Sequence, residues 1–281
     1  MGTNSDQSNG ARDSFLLYLE AERNLSANTV RAYKNDISSF IDYLKRLELG
    51  LEEVDHKVIR KYLAFLHNFS LSKTTMARRM AALRSFFKYL YIHIKIIPSN
   101  PATLVSSAKL SKPLPRILKT GEIGELIELP DTKTAKGQRD RAILEVLYGA
   151  GLRVSELVGL DLADINWRVG ELKVMGKGSR ERIVPLNDQA IESLEDYLKK
   201  GRVELGKKAK AQSRAVFLNR TGERLSTGAV RRLMKSYANK HIQGKGLTPH
   251  TIRHTFATHL LSGALACISA GALICLNEYI S

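Results

Sequence analysis

Four of the chain's seven prolines fall in one short stretch, IPSNPATLVSSAKLSKPLP, from Ile97 to Pro115. Proline has no backbone N–H to donate, and its ring clashes with the preceding helical turn. Neither a helix interior nor a central strand can run through such a stretch. The chain must therefore fold as two parts, residues 11–95 and 117–263, joined by a linker at 96–116. At 281 residues it is long enough to bury two cores.

Residues 1–10, MGTNSDQSNG, are polar and small, which marks them as a disordered leader. They lack the basic-then-apolar order of a secretory signal. Beyond them the apolar residues recur at helical spacing. Ser26 is placed to cap a helix that buries Val30, Tyr33, Ile37, Phe40 and Leu44. A second helix, from about Ser72 to Tyr91, buries Met76, Met80, Leu83, Phe87 and Leu90. Lys73, Arg84 and Lys88 share one side of it, beside the apolar stripe. That side is either a solvated face or one laid against a DNA backbone.

After the linker the period changes. Thr120 is placed to cap a short helix, and a longer one near Gly137–Tyr148 leads into Gly149-Ala150-Gly151. GELKVM alternates as a strand does, and RERIVPL resumes the pattern after Gly176-Lys177-Gly178-Ser179, a hairpin turn. Helices follow near Asp188–Lys200 and Ser226–Lys240. The expected fold is mainly α with a small β-sheet: a helical domain, then an α+β domain.

Charge narrows the partners. Lys and Arg number 44 against 28 Asp and Glu, a formal charge of +16. Such an excess favours polyanions, because each phosphate neutralised releases condensed counterions. The only cysteines, Cys267 and Cys275, are too few for a disulfide framework, so a reducing cytoplasm is the default.

Chemistry-bearing residues gather in the second part. Thr248 and Pro249 open a helix as N-cap and first-turn residue, and the three-residue spacing of His250 and Arg253 places them on one face. Near a helix amino end, this pair suits an anionic oxygen that must be neutralised and supplied with a proton. His250 and His254 are four apart, yet no carboxylate lies between them and Arg253 would repel a cation, so no metal is expected. His254 and His259 are expected to be satisfied within a packed helix. Arg153 follows the glycines at 149 and 151, and Lys177 sits at the hairpin tip. Alone, each is an ordinary surface residue.

In order, Gly149–Leu157 (GAGLRVSEL), Gly176–Leu186 (GKGSRERIVPL) and Leu247–Leu260 (LTPHTIRHTFATHL) resemble three boxes of the Xer-type tyrosine recombinases. The segment LSANTVRAYKNDISSF is similar to the entry helix of that family's core-binding, SAM-like DNA domain. The resemblance spans nearly all of residues 11–263. It implies a clamp of the helical domain and the catalytic domain around a double-stranded recombination site, with homo- or hetero-tetramers on DNA. Arg153 and Arg253 would hold the scissile phosphate, Lys177 would protonate the leaving 5′-oxygen, and His250 would assist proton transfer. A tyrosine attacks to give a 3′-phosphotyrosine, so neither metal nor any other cofactor is needed. The implied function is site-specific strand exchange, in chromosome or plasmid dimer resolution or in mobile-element integration.

The resemblance ends after Gly263. From Leu260 to Ser281 the only charged side chain is Glu278, and the family's second His/Trp position is unfilled. Residues 264–281 are therefore expected to be an aberrant tail from a truncation or a slipped reading frame near Ala264. Codons permitted for this tail can, when shifted by one base, spell a segment that resembles the family's own with a few residues missing. Two other readings are an apolar membrane segment over Leu260–Leu276 and a genuine terminus with Tyr279 as nucleophile. No membrane partner is expected. The aberrant tail implies impaired cleavage, and its alternative function is a DNA-binding relic of a recombinase.

Overall fold

The computed structural model describes residues 3–106, 117–176, 180–209, 211–241 and 247–269. The chain divides into two compact units, Met1–Pro113 and Leu114–Ser281.

The first unit is helical: α1 (Thr3–Ala21), α2 (Ala27–Arg46), α3 (His56–His67) and α4 (Lys73–Tyr89). The side chains of Ser26, Asp55 and Ser72 accept the backbone N–H groups of Thr29, Val58 and Thr75, which caps α2, α3 and α4. Both expected stripes face the core. Val30, Ile37, Phe40 and Leu44 are buried, as are Met80, Leu83, Phe87 and Leu90, while Tyr33 and Met76 pack at the edge. Helix α1 begins at Thr3, inside the stretch whose composition suggests a disordered leader. Ser8 is buried, and Arg12 bridges from Asn9 to Ser38 of α2, so tertiary contact overrides weak local propensity. A carboxylate also crosses the α2–α4 seam. Asp36 is 2% exposed and pairs with Arg78, with Arg79 at 3.6 Å.

The second unit begins with α5 (Thr120–Glu128), α6 (Ala135–Gly149) and α7 (Val154–Gly159). Thr120 is the first residue of α5 and not its cap. Glu122 reaches back to accept the Lys119 N–H at 2.8 Å, which makes Lys119 the N-cap. Helix α6 is buried on nearly every side and forms the centre of the core. Its Arg139 donates to the Leu218 carbonyl at 3.0 Å and pairs with Asp140 at 2.7 Å, and Tyr237 donates to Asp140.

A three-stranded antiparallel sheet follows: β1 (Ile165–Asn166), β2 (Glu171–Met175) and β3 (Glu181–Pro185), in that order. The alternation read in the sequence corresponds to β2 and β3, whereas β1 is too short to carry a periodic signal. Leu172 pairs with Val184 and Val174 with Arg182, and Gly176 N–H closes the turn onto Arg180 O at 2.7 Å. The chain continues through α8 (Asp188–Asp196), a π-turn at Tyr197–Gly201, α9 (Arg202–Gly206), α10 (Thr227–His241) and α11 (Pro249–Ser269). The side chain of Cys267, all of Cys275 and the tail from residue 270 lie outside the described residues. No helix among the described residues is long and apolar enough to cross a membrane.

Candidate phosphate-binding site

The site is assembled where α6 hands over to α7 and α11 packs beneath. Gly151 has φ +57°, and a Cβ there would lie 2.2 Å from Phe256 Cδ1. Only glycine lets the backbone pass this close to α11 while turning into α7. Two residues later Arg153 is the N-cap of α7, with its side chain 48% exposed.

Helix α11 is set by its buried side: Ile252 and Thr255 are inside, and Thr255 Oγ1 accepts the Leu118 N–H at 3.1 Å. Thr248 Oγ1 accepts the Thr251 N–H at 3.2 Å, the cap read from the sequence. Arg253 turns toward the α6–α7 junction and donates to the Gly151 carbonyl. His250 is exposed on the first turn of the same helix. His259 is satisfied by Tyr148 OH at 3.0 Å, whereas His254 stands exposed and unlike the packed histidine expected.

One carboxylate organises the arginines. Glu156 has only 2% of its side chain exposed, and its oxygens take four donors. Oε2 accepts the Arg153 backbone N–H at 2.7 Å and Arg182 Nη2 at 2.9 Å. Oε1 accepts Arg153 Nη1 at 2.9 Å and Arg182 Nη1 at 2.7 Å. Burial pushes the Glu156 carboxyl up, but these hydrogen bonds outweigh it and its pKa falls to about 2. Burial lowers the pKa of Arg253, and the nearby charges of Arg153 and Arg182 lower it further, with Glu156 opposing. Guanidiniums held close enough to repel one another form a ready anion site, and their planar forks match phosphate oxygens.

The structure thus brings Arg153 and Arg253 to one junction with His250 on the same helix as Arg253. Lys177 and Tyr279 lie outside the described residues. Lys73 and Lys88 are exposed on α4 in the first unit. Arg84 is engaged differently from the exposed face suggested by its wheel position. It donates to the Ala102 carbonyl at 3.3 Å and to that of Val105, tying down the segment after α4. Sequence reasoning missed Glu156 and Arg182. Glu156 follows Arg153 by three residues, the spacing of a capping box. Arg182 breaks the apolar alternation of RERIVPL at a core-facing register.

Fold and cluster define a two-unit, mainly helical protein with Arg153, Arg182 and Arg253 gathered around Glu156 at the α6–α7 junction. A sequence model of the phage integrase family matches residues 116–265, and one of the phage integrase N-terminal SAM-like domain matches residues 13–93. The tyrosine recombinase XerC of Pelotomaculum thermopropionicum is 47% identical over 259 residues, covering 89% of this chain and 84% of that protein. The tyrosine recombinase XerD of Staphylococcus epidermidis is 38% identical over 250 residues, with 89% and 84% covered. Among solved structures, XerH recombinase bound to a palindromic difH substrate matches with TM-score 0.69 at 21% identity, covering 88% of this chain and 72% of that one. A lambda integrase dimer bound to a core site matches with TM-score 0.66 at 20% identity, covering 97% and 96%. The chain belongs to the phage integrase family, on its Xer-type tyrosine recombinase branch.

Proposed function

We propose that this chain performs site-specific DNA recombination, cutting and rejoining strands through a 3′-phosphotyrosine. The observation that carries the reading is the convergence of Arg153 and Arg253 on one junction, with the single negative charge of Glu156 divided between Arg153 and Arg182. In this reading the two arginines clamp the scissile phosphate and offset charge as the pentacoordinate state forms. His250 manages a proton on the non-bridging oxygens, and Lys177 delivers one to the leaving 5′-oxygen. Lys73 and Lys88 add phosphate contacts from the helical domain, a role in which Arg84 is secondary because its guanidinium already serves two carbonyls. Relatives named both XerC and XerD favour assembly with a second recombinase on paired sites. A chain acting on chromosomal or plasmid DNA works in the cytoplasm.

The test incubates the full chain with nicked suicide duplexes drawn from its source genome. A denaturant-resistant protein–DNA adduct is expected at low yield, in keeping with the unmatched segment after Gly263, and should be lost in Arg153→Ala and Arg253→Ala while DNA affinity falls only a few-fold, because binding is spread over many phosphates. Loss of the adduct in Tyr279→Phe would assign the nucleophile. Retained affinity with no adduct in any arm would overturn the catalytic half and leave a DNA-binding relic.

A further inference from the structure

Antiparallel pairing sets which way the β3 side chains point. Leu172 and Val174 of β2 face the core, and opposite them stand Val184 and Arg182. Leu172, Val174 and Val184 are buried. Alternation demands an apolar residue at position 182 too, and a guanidinium is there instead. It is two-thirds buried, and both its terminal nitrogens go to Glu156 in a parallel fork, 2.7 and 2.9 Å. A buried ion pair is weak evidence for stability alone, since apolar side chains of similar volume commonly do as well. Its location is what carries meaning. The carboxylate that receives this fork is the one that receives the Arg153 backbone N–H and the Arg153 guanidinium.

We infer that Arg182 is a positioning residue of the phosphate site, acting through Glu156 to fix where the Arg153 guanidinium points. The inference rests on the reading of Arg153 as a phosphate clamp. Two consequences follow from the geometry. First, Arg182 shares the carboxylate, so Glu156 cannot neutralise Arg153. Three guanidiniums, of Arg153, Arg182 and Arg253, face one carboxylate, and two positive charges are left for a phosphate. Second, β2 and β3 flank Lys177 in the sequence. The Arg182–Glu156 fork therefore ties the hairpin to the helix start that carries Arg153. A shift of the hairpin along its axis would break a two-point contact that a single hydrogen bond would tolerate.

The experiment measures binding of a fluorescent duplex by anisotropy over a range of NaCl concentrations, with the full chain and variants whose folding is checked by circular dichroism. Each phosphate contact contributes about 0.9 to the slope of log affinity against log salt. Arg153→Ala should lower that slope by about 0.9. Arg182→Ala should lower it equally, and the double variant should lower it no further. Arg182→Lys keeps the charge but not the fork, and should behave like Arg182→Ala; it also serves if the alanine variant fails to fold. A drop of about twice that size in the double variant would mean that Arg182 touches phosphate itself and would overturn the inference. So would a wild-type slope in Arg182→Ala or Arg182→Lys. A wild-type slope in Arg153→Ala would instead remove the clamp reading, and the inference with it.

Discussion

Glu156→Gln tests the electrostatics of the site directly. Glutamine keeps the volume and can still accept the Arg153 N–H, but it removes the charge that two guanidiniums share. A carboxyl whose pKa falls from 4.5 to about 2 on folding contributes about 3 kcal/mol near neutral pH, with the burial penalty already counted. The sign is set by the direction of that fall. The stabilisation is complete above the unfolded value and is lost as pH drops toward the folded one. The stability gap between wild type and variant should therefore be about 3 kcal/mol near pH 7, about 2 kcal/mol near pH 3.5, and nearly gone near pH 2. Trp167 is the chain's single tryptophan and lies in the second unit, so its fluorescence in urea titrations follows the unit that holds Glu156. A loss of this size also lowers the melting temperature by about 10 °C for a unit of this length. A gap below about 1 kcal/mol near neutrality, or one unchanged between about pH 5 and 3.5, would refute the assignment of Glu156 as a charged, fully bonded acceptor.

Two further outcomes can be measured in the same way. Gly151→Ala puts a Cβ against the Phe256 ring at a positive φ, and should cost about 2 kcal/mol in thermal melts; measured in a Phe256→Ala background the same substitution should cost less, because the clash is relieved and the backbone strain is not. Asp140→Asn leaves the buried Arg139 without its ionic partner and removes the charged acceptor of Tyr237. A loss of about 3–5 kcal/mol is expected, and one under about 1 kcal/mol would show that the Leu218 carbonyl suffices.

Much of the fold was legible because its signals are local. Ser26 and Thr248 cap the helices their positions suggest, and the stripes on α2 and α4 face inward because periodicity survives in any packing that buries one face. The strands β2 and β3 were legible by alternation, with β1 too short to see. The miscast cap at Thr120 had an equally local cause, since Glu122 competes for the same backbone donor from inside the helix. Residues 3–10 joined α1 for a non-local reason, the burial of Ser8 and the reach of Arg12 to α2.

The candidate site divides along the same line. The sequence by itself determined a two-part, mainly helical, basic chain and presented Arg153, His250 and Arg253 as an ordered set on helix starts. Packing alone decided what those residues meet. Arg182 and Glu156 are 26 positions apart, Asp36 and Arg78 are 42 apart, and Arg253 and Gly151 are 102 apart. A charged side chain has no period that names its partner, and its contacts are chosen by whichever backbone the core brings within hydrogen-bond reach. So the arginines could be read from the chain, while the carboxylate that Arg153 and Arg182 share became visible only when β3 and α7 came together.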